Sequence, residues 1–99
     1  MGRTKTRNCL HAYFRASERC GWSVEKAKEM MRLASRKGLS PYQLENGELK
    51  DLLIYRQLKT NRRIKFYQGY IFIFASTSTR CYTVYKNPLE KGDNKNGND

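Results

Sequence analysis

Acidic side chains are scarce in this chain of 99 residues. Nine aspartates and glutamates stand against 20 lysines and arginines, which gives a net charge of +11. A two-metal nuclease needs several clustered carboxylates, and the few in this chain are scattered. We therefore predict no bound metal, and any nuclease chemistry here has to proceed without a metal ion.

Long apolar runs and nucleotide-binding motifs are also missing. No stretch approaches the roughly 20 apolar residues that a membrane span needs. The basic start at Met1–Arg7 is not followed by the apolar segment of a secretory signal. The chain contains no Walker loop, GxGxxG, HExxH or nucleophile elbow. These absences predict a protein that needs no cofactor and does not act at a membrane.

Cysteine is sparse, with Cys9, Cys20 and Cys81 and no CxxC pair. An odd number without a pair is typical of a reduced compartment, so we predict a cytoplasmic protein. The spacing of Cys9, His11 and Cys20 fits no familiar zinc site. We interpret the three thiols as structural.

The positive charge belongs to the part of the chain that has folding patterns. The net charge is +6 over residues 1–50, +6 over 51–86 and −1 over 87–99. This distribution favours a polyanionic partner, first RNA or another nucleic acid, alone or in a nucleoprotein complex. An acidic protein comes second, and a basic protein with no such partner is the remaining alternative.

Three β-strands are predicted between Arg62 and Lys86, RRIKFYQGYIFIFASTSTRCYTVYK. Gln68-Gly69 separates two alternating runs, as in a two-residue hairpin. A polar run at residues 76–79 supplies a longer turn. The expected register pairs Tyr67 with Tyr70 and Ile64 with Ile73, then Ala75 with Arg80 and Ile73 with Tyr82.

This register divides the strand side chains between two unlike faces, because side chains alternate along a strand. The aliphatic face is predicted to carry the core: Ile64, Phe66, Ile71, Ile73, Tyr82 and Val84. The aromatic face mixes rings, cations and hydroxyls: Arg63, Lys65, Tyr67, Tyr70, Phe72, Phe74, Cys81, Thr83 and Tyr85. Either the aromatic face stacks bases and holds phosphates, or a helix or a second protomer covers it as another core.

Apolar periodicity predicts helices before the strands. They run from Cys9 to Cys20, from the Ser23 cap to Gly38, and from about Gly47 to Leu58, and the first has an apolar stripe at Leu10, Phe14 and Ser17. The order predicts one α+β domain over residues 9–88, with two to three helices on one face, the aliphatic one, of a three-stranded or four-stranded antiparallel sheet. Residues 1–8 are predicted to be a flexible basic arm and residues 89–99 a disordered tail.

The first helix carries a polar stripe of His11, Arg15, Glu18 and Arg19. Spacings of four, seven and eight residues place these side chains on one side of a helix. Histidine can move a proton, and arginine can stabilise charge that builds on a phosphate. The same spacing is also ordinary on a solvated helix, so both interpretations stay open.

The segment HAYFRASERCG at His11–Gly21 resembles the HA-x-x-R-x-x-ERCG opening of small proteins of Firmicutes, phages and mobile elements, over about residues 9–88. Those proteins are in turn similar to RelE-like and wider barnase, EndoU and colicin-type ribonuclease toxins, which cut RNA without a metal. The resemblance implies His11 as the acid or base and Arg15 and Arg19 as phosphate contacts, faced from the sheet by Lys65, Thr83 and Tyr85. It also implies a bacterial or phage-infected host cell as the location, and an antitoxin or a host protein as a partner. The chain departs from RelE-like toxins in lacking their longer four-stranded sheet and arginine-rich C-terminal end.

Two functions follow as expectations. The first is a metal-independent endoribonuclease with the catalytic candidates His11, Arg15, Arg19, Lys65 and Tyr85. Its further nucleic-acid contacts are predicted at Arg63, Tyr67, Tyr70, Thr83, Arg62, Arg32 and Arg36. The second is a non-catalytic binder of nucleic acid or of a nucleoprotein complex, for example a phage-encoded inhibitor of host defence of the anti-CRISPR type. Monomer and homodimer both stay open, because the aromatic face could also pair two protomers.

Overall fold

A computed structural model describes residues 10–90. It has three helices followed by a three-stranded antiparallel sheet, so the predicted α+β class is confirmed. The elements are α1 (Leu10–Cys20), α2 (Val24–Lys37), α3 (Glu48–Thr60), β1 (Arg63–Tyr67), β2 (Tyr70–Phe74) and β3 (Cys81–Lys86), with short 3-10 helices at Pro41–Gln43 and Pro88–Glu90. The predicted arm and residues 91–99 of the predicted tail lie outside the described residues, as does Cys9.

The helix ends follow the expected signals. Gly21 has a φ of +72° and donates its N–H to the carbonyl of Ser17 at 3.1 Å, which is the left-handed conformation that glycine adopts without strain. The Ser23 hydroxyl accepts a hydrogen bond from the N–H of Lys26 at 3.1 Å, and Gly38 follows the last residue of α2. Local chemistry therefore sets the limits of α1 and α2.

The chain makes a close approach where α2 ends. A Cβ at Gly38 would lie 2.5 Å from the carbonyl oxygen of Ala34 and 3.0 Å from the Cβ of Lys65. Immediately afterwards, Leu39 and Phe66 exchange two backbone hydrogen bonds of 2.9 and 2.8 Å. The suggested fourth strand is therefore reduced to a single bridge at the edge of β1.

The first hairpin has the predicted register. Tyr67 pairs with Tyr70 and Ile64 pairs with Ile73. Gln68 and Gly69 both take positive φ values, as the predicted two-residue turn requires. This turn is local in sequence, which is why the pattern of residues predicts it.

The second hairpin contains an irregularity that the sequence did not reveal. The register shifts between Ile73 and Phe74, so that Ile73 pairs with Thr83 rather than with Tyr82. A β-bulge of this kind adds one residue to one strand and reverses the faces of the residues beyond it. The expected pairing of Ile73 with Tyr82 is therefore wrong.

The bulge exchanges the side chains of β3 between the two faces. Thr83 and Tyr85 now pair with residues of the aliphatic face, and Val84 pairs with Phe72 on the aromatic face. The predicted faces of Thr83, Val84 and Tyr85 are therefore wrong, because the register is shifted by one residue. Thr83 and Tyr85, which both carry a hydroxyl group, therefore lie on the aliphatic face.

The aromatic face is the main core of the protein. Phe72, Phe74, Cys81 and Val84 are fully buried there. Small and flexible side chains of α1 and α2 cover them: Ala12, Ala16, Ala27, Met30, Met31 and Ala34. Of the two interpretations of this face, the covered core is therefore correct, and base stacking on Phe72 and Phe74 is ruled out by their burial.

The apolar stripe predicted for α1 is also wrong. Leu10 and Phe14 are 75% and 65% exposed, whereas Ala12 and Ala16 are buried. Alanine has no side chain beyond Cβ, so this side of α1 can lie directly against the large rings of the sheet. Fit between surfaces, rather than hydrophobicity alone, selects the buried side of the helix.

The aliphatic face is covered by α3. Leu53 is fully buried against Ile64 and Ile71. The sheet therefore lies between α1 and α2 on one side and α3 on the other. Two helices share one face as predicted, but that face is the aromatic one, so the choice of the aliphatic face is wrong. None of the helices within residues 10–90 has the length and apolar character that crossing a membrane requires.

Candidate nucleic-acid interface

An open groove of about 410 Å³ lies where α1 packs along β3, one of the two edge strands of the sheet. We call it the basic groove. It is lined by His11, Arg15 and Arg19 of α1, by Arg62 just before β1, and by Tyr82 and Thr83 of β3. No carboxylate is among these lining residues, so the groove combines three guanidinium groups, one imidazole and two hydroxyls.

The predicted polar stripe of α1 forms one wall of the basic groove. Arg15 donates a hydrogen bond from Nε to Nε2 of His11 at 3.1 Å. Its Nη1 lies 3.6 Å from Oε1 of Glu18, which does not line the groove. Because Nε2 accepts this hydrogen bond, the proton of the neutral imidazole lies on Nδ1. Arg15 thus orients the only histidine of the chain.

The opposite wall is formed by an arginine stacked on a tyrosine. The guanidinium carbon of Arg62 lies 4.0 Å from the ring centre of Tyr82, and that of Arg80 lies 5.8 Å from it. A cation over an aromatic ring at an exposed site contributes roughly 0.5–1 kcal/mol. The bulge in β3 brings Tyr82 to this position, although the sequence pattern placed it in the core.

Tyr85 joins α1 to α3 beside the basic groove. Arg56 of α3 donates a hydrogen bond from Nη1 to Oη of Tyr85 at 2.9 Å. The guanidinium carbons of Arg56 and Arg19 each lie 5.9 Å from the ring centre. Arg56 was not among the predicted site residues, although its spacing of four and three residues from Leu52 and Leu53 signals that it faces the sheet.

Lys65 does not join this arrangement. It lies on β1, at the opposite edge of the sheet from β3, with β2 between them. Its Cβ approaches Gly38 at the end of α2. The predicted meeting of Lys65 with the α1 stripe is therefore wrong, because α1 packs along β3, at the other edge of the sheet.

Arg63, predicted as a nucleic-acid contact, holds the turn between β2 and β3. Its Nε donates to the carbonyl of Ala75 at 3.2 Å and its Nη2 to the carbonyl of Ser78 at 2.6 Å. The guanidinium also lies 5.8 Å from the ring centre of Phe74. This cation is partly buried and occupied within the fold.

The two tyrosines predicted to stack bases are half-buried beside the main core. The ring of Tyr70 meets that of Trp22 edge to face, with centroids 4.7 Å apart. Tyr67 packs at the margin of the same core. Neither residue lines the basic groove.

The predicted contacts on α2 are separate from the groove as well. Arg32 forms two 3.0 Å hydrogen bonds with the carboxylate of Glu29. Arg36 is exposed in the last turn of α2. These cations add to the general positive surface without lining the groove.

Cys20 follows Arg19, which lines the groove. Burial raises the pKa of its thiol above the usual 9.0, and the nearby charges of Lys86 and Arg19 oppose that shift in part. The group is therefore a neutral thiol near pH 7, which is a poor nucleophile. Its packing against the main core agrees with a structural role.

A second groove, of about 510 Å³, has the opposite chemical character. Five large apolar side chains line it, together with polar residues that include two glutamates. The apolar members are Leu39, Leu44, Leu49, Phe66 and Leu89, and the acidic members are Glu45 and Glu48. We call it the apolar groove; it shares no lining residue with the basic groove.

The chemistry available in the basic groove is that of anion binding with a proton carrier close by. Guanidinium groups form paired hydrogen bonds with phosphate oxygens, and an imidazole can accept or donate a proton at neutral pH. Comparison of the chain with protein-family models, curated proteins and solved structures found no match. The resemblance to ribonuclease toxins therefore stays a prediction, and a function has to be argued from the groove.

Proposed function

We propose that this protein binds RNA in the basic groove and cleaves it there as a metal-independent endoribonuclease. The observation that carries the proposal is the position of the single histidine. His11 lies among three groove arginines, and none of the described residues that line the groove carries a carboxylate.

The charge of the groove supports a polyanionic ligand. Arg15, Arg19 and Arg62 bring three positive charges to a groove of about 410 Å³. Their mutual repulsion is relieved when phosphates bind, and the release of counterions from RNA makes the binding dependent on salt. We expect the logarithm of the binding constant to fall by about 0.7 for each phosphate contact per unit of log salt concentration.

The proposed reaction uses the ribose of the substrate as the nucleophile. A bound phosphate draws Arg15 toward its oxygens, which frees Nε2 of His11 to take the proton of the 2′-OH. The O2′–P bond forms and the P–O5′ bond breaks, giving a 2′,3′-cyclic phosphate and a 5′-OH end. Arg15 and Arg62 stabilise the charge on the phosphate oxygens, and the leaving O5′ takes a proton from the Tyr82 hydroxyl or from water.

The test is cleavage of a labelled single-stranded RNA by the purified full chain in EDTA. We expect products that end in a 2′,3′-cyclic phosphate, and no cleavage where a single 2′-deoxyribose replaces the scissile nucleotide. His11→Ala should lower the cleavage rate about 10²–10⁴-fold, the usual size of a general-base effect. Ser17→Ala, on an exposed position of α1, is the matched control and should cleave at the normal rate. RNA that stays intact would overturn the catalytic proposal.

The hydrogen bond between Arg15 and His11 favours a second candidate function. Because it occupies Nε2, the histidine is not a free base until Arg15 moves. A binder that never cleaves has no need of that movement. Under this alternative, RNA binding weakens with salt and with neutralisation of several groove arginines, survives His11→Ala, and yields no cyclic phosphate in the same assay.

A further inference from the structure

We propose a second phosphate site at Tyr85, formed by Arg19 and Arg56, which makes the ligand a single RNA strand with at least two phosphates. The inference rests on the proposed RNA-directed function and adds a substrate class to it. In this assignment Tyr85 binds the strand next to the site of cleavage and takes no part in moving protons.

Two cations from different helices approach the ring of Tyr85. Arg19 reaches Tyr85 from α1, and Arg56 reaches it from α3. Each guanidinium carbon lies 5.9 Å from the centre of the same ring. Like charges at one place repel each other, and an anion bound at that place removes the repulsion.

No carboxylate of the described residues competes with a phosphate for these two cations. Among the residues whose side chains the structure describes, the ion pairs involve Arg15 and Arg32, and neither Arg19 nor Arg56 has one. Arg32 shows the contrast, since both hydrogen bonds of its guanidinium go to Glu29. The donors of Arg19 and the remaining donors of Arg56 are therefore available to phosphate oxygens, which arginine binds in pairs.

The hydroxyl of Tyr85 is oriented by a hydrogen bond that it accepts. Arg56 donates to Oη, so the hydroxyl acts as an acceptor there and keeps its own proton for donation. The same bond fixes the orientation of the ring. In the proposed site, a phosphate beside the ring binds the oriented hydroxyl and the guanidinium of Arg56, with that of Arg19 close to the same ring.

The proposed site at Tyr85 is continuous with the basic groove. Arg19 both lines that groove and contacts Tyr85. Thr83 in the groove and Tyr85 lie two residues apart on one face of β3, roughly 7 Å along the strand. A single strand laid along β3 can therefore place one phosphate near His11 and a neighbouring phosphate at Tyr85.

The experiment compares short RNAs that differ only by one terminal phosphate. A non-cleavable RNA dinucleotide, with 2′-O-methyl at the first ribose, is prepared without a terminal phosphate, with a 5′-phosphate and with a 3′-phosphate. Dissociation constants are measured by calorimetry with the full chain. We expect one of the two phosphorylated forms to bind five- to tenfold more tightly than the unphosphorylated form.

Arg56→Gln should remove that gain, so that the three dinucleotides bind with similar affinity. Tyr85→Phe should reduce the gain by at least half. Lys59→Gln is the matched control, because Lys59 lies on the same helix beside Tyr55 and should preserve the gain. A melting temperature for each variant establishes that it is folded before its affinity is compared.

Two different failures are distinguishable. If the unphosphorylated dinucleotide and longer RNAs bind but a terminal phosphate adds nothing, the second site is overturned and the proposed function stands. A gain that persists in Arg56→Gln also overturns the second site. If no RNA of any length binds, the proposed function fails together with this inference.

Discussion

The two faces of the sheet differ in how completely helices cover them. The aromatic face is closed by α1 and α2, and its central residues Phe72 and Phe74 are fully buried. The other face is covered by α3 around Ile64 and Ile71, while its β3 side carries Tyr82 and leads into the basic groove. Rings and cations in a strand therefore do not mark a binding face by themselves; the packing of the helices decides which face stays open.

The physical reason lies in the size of the helix side chains. Four alanines, Ala12, Ala16, Ala27 and Ala34, line the sides of α1 and α2 that meet the sheet. They leave room for stacked phenylalanines, with the rings of Phe72 and Phe74 6.3 Å apart and 13° from parallel. On the other side, Leu53 is the only residue of α3 that is fully buried.

The largest effect that tests this comparison is expected from Phe72→Ala. Removing a buried phenylalanine leaves a cavity and costs about 3–5 kcal/mol of unfolding free energy. Phe66→Ala, on the other face, should cost less because Phe66 is only partly buried. Urea unfolding followed by circular dichroism measures both. Equal losses would contradict the idea that the aromatic face holds the main core.

The next test uses two neighbouring arginines that point to opposite faces. Arg63→Gln removes hydrogen bonds to two backbone carbonyls and should cost about 1–3 kcal/mol of unfolding free energy, the usual cost of leaving partly buried groups without partners. Its affinity for RNA should not change. Urea unfolding and RNA titration of the same variant provide the two measurements.

Arg62→Gln should show the reverse pattern. Arg62 is exposed, stacks on Tyr82 and lines the basic groove. We expect RNA affinity to fall several-fold and the dependence of binding on salt to weaken by about one phosphate contact, with a loss of stability no larger than about 1 kcal/mol. If Arg63→Gln weakened RNA binding more than Arg62→Gln, the assignment of the open face would be wrong.

The local features of the fold were predictable from the sequence. Gly21, Ser23 and Gly38 mark helix ends, and Gln68-Gly69 defines a hairpin, because each signal depends on a few adjacent residues. The faces were not predictable in the same way. They depend on a bulge in β3 and on the fit of alanines against rings, which are properties of the assembled structure.

The candidate site was likewise predictable only in part. The spacing of His11, Arg15 and Arg19 predicted one wall of the groove, since helical periodicity alone aligns them. Lys65 was misplaced because the predicted pairing of the strands does not show along which strand α1 packs. Arg56 was missed as a site residue because its approach to Tyr85 spans 29 positions in the sequence.

The smallest expected effect concerns Cys20, which packs against the main core and follows the groove residue Arg19 in the chain. Burial against the core raises its pKa, while Lys86 and Arg19 act to lower it. A raised pKa in the folded state means that the unfolded chain loses this proton first. The stabilising contribution of the thiol is therefore complete below about pH 9 and is lost as the pH rises through the pKa of the folded state.

Unfolding midpoints in urea at pH 7 and pH 10 test this point, with Cys20→Ala as the control for every other group that titrates in that range. The wild-type chain should lose slightly more stability than the variant between the two pH values. A smaller loss in the wild type would mean that the cations at the groove outweigh burial by the core. In that case the positive potential of the basic groove extends to the margin of the main core, and the boundary between the closed and the open part of the sheet lies further inside the protein than the packing of α1 indicates.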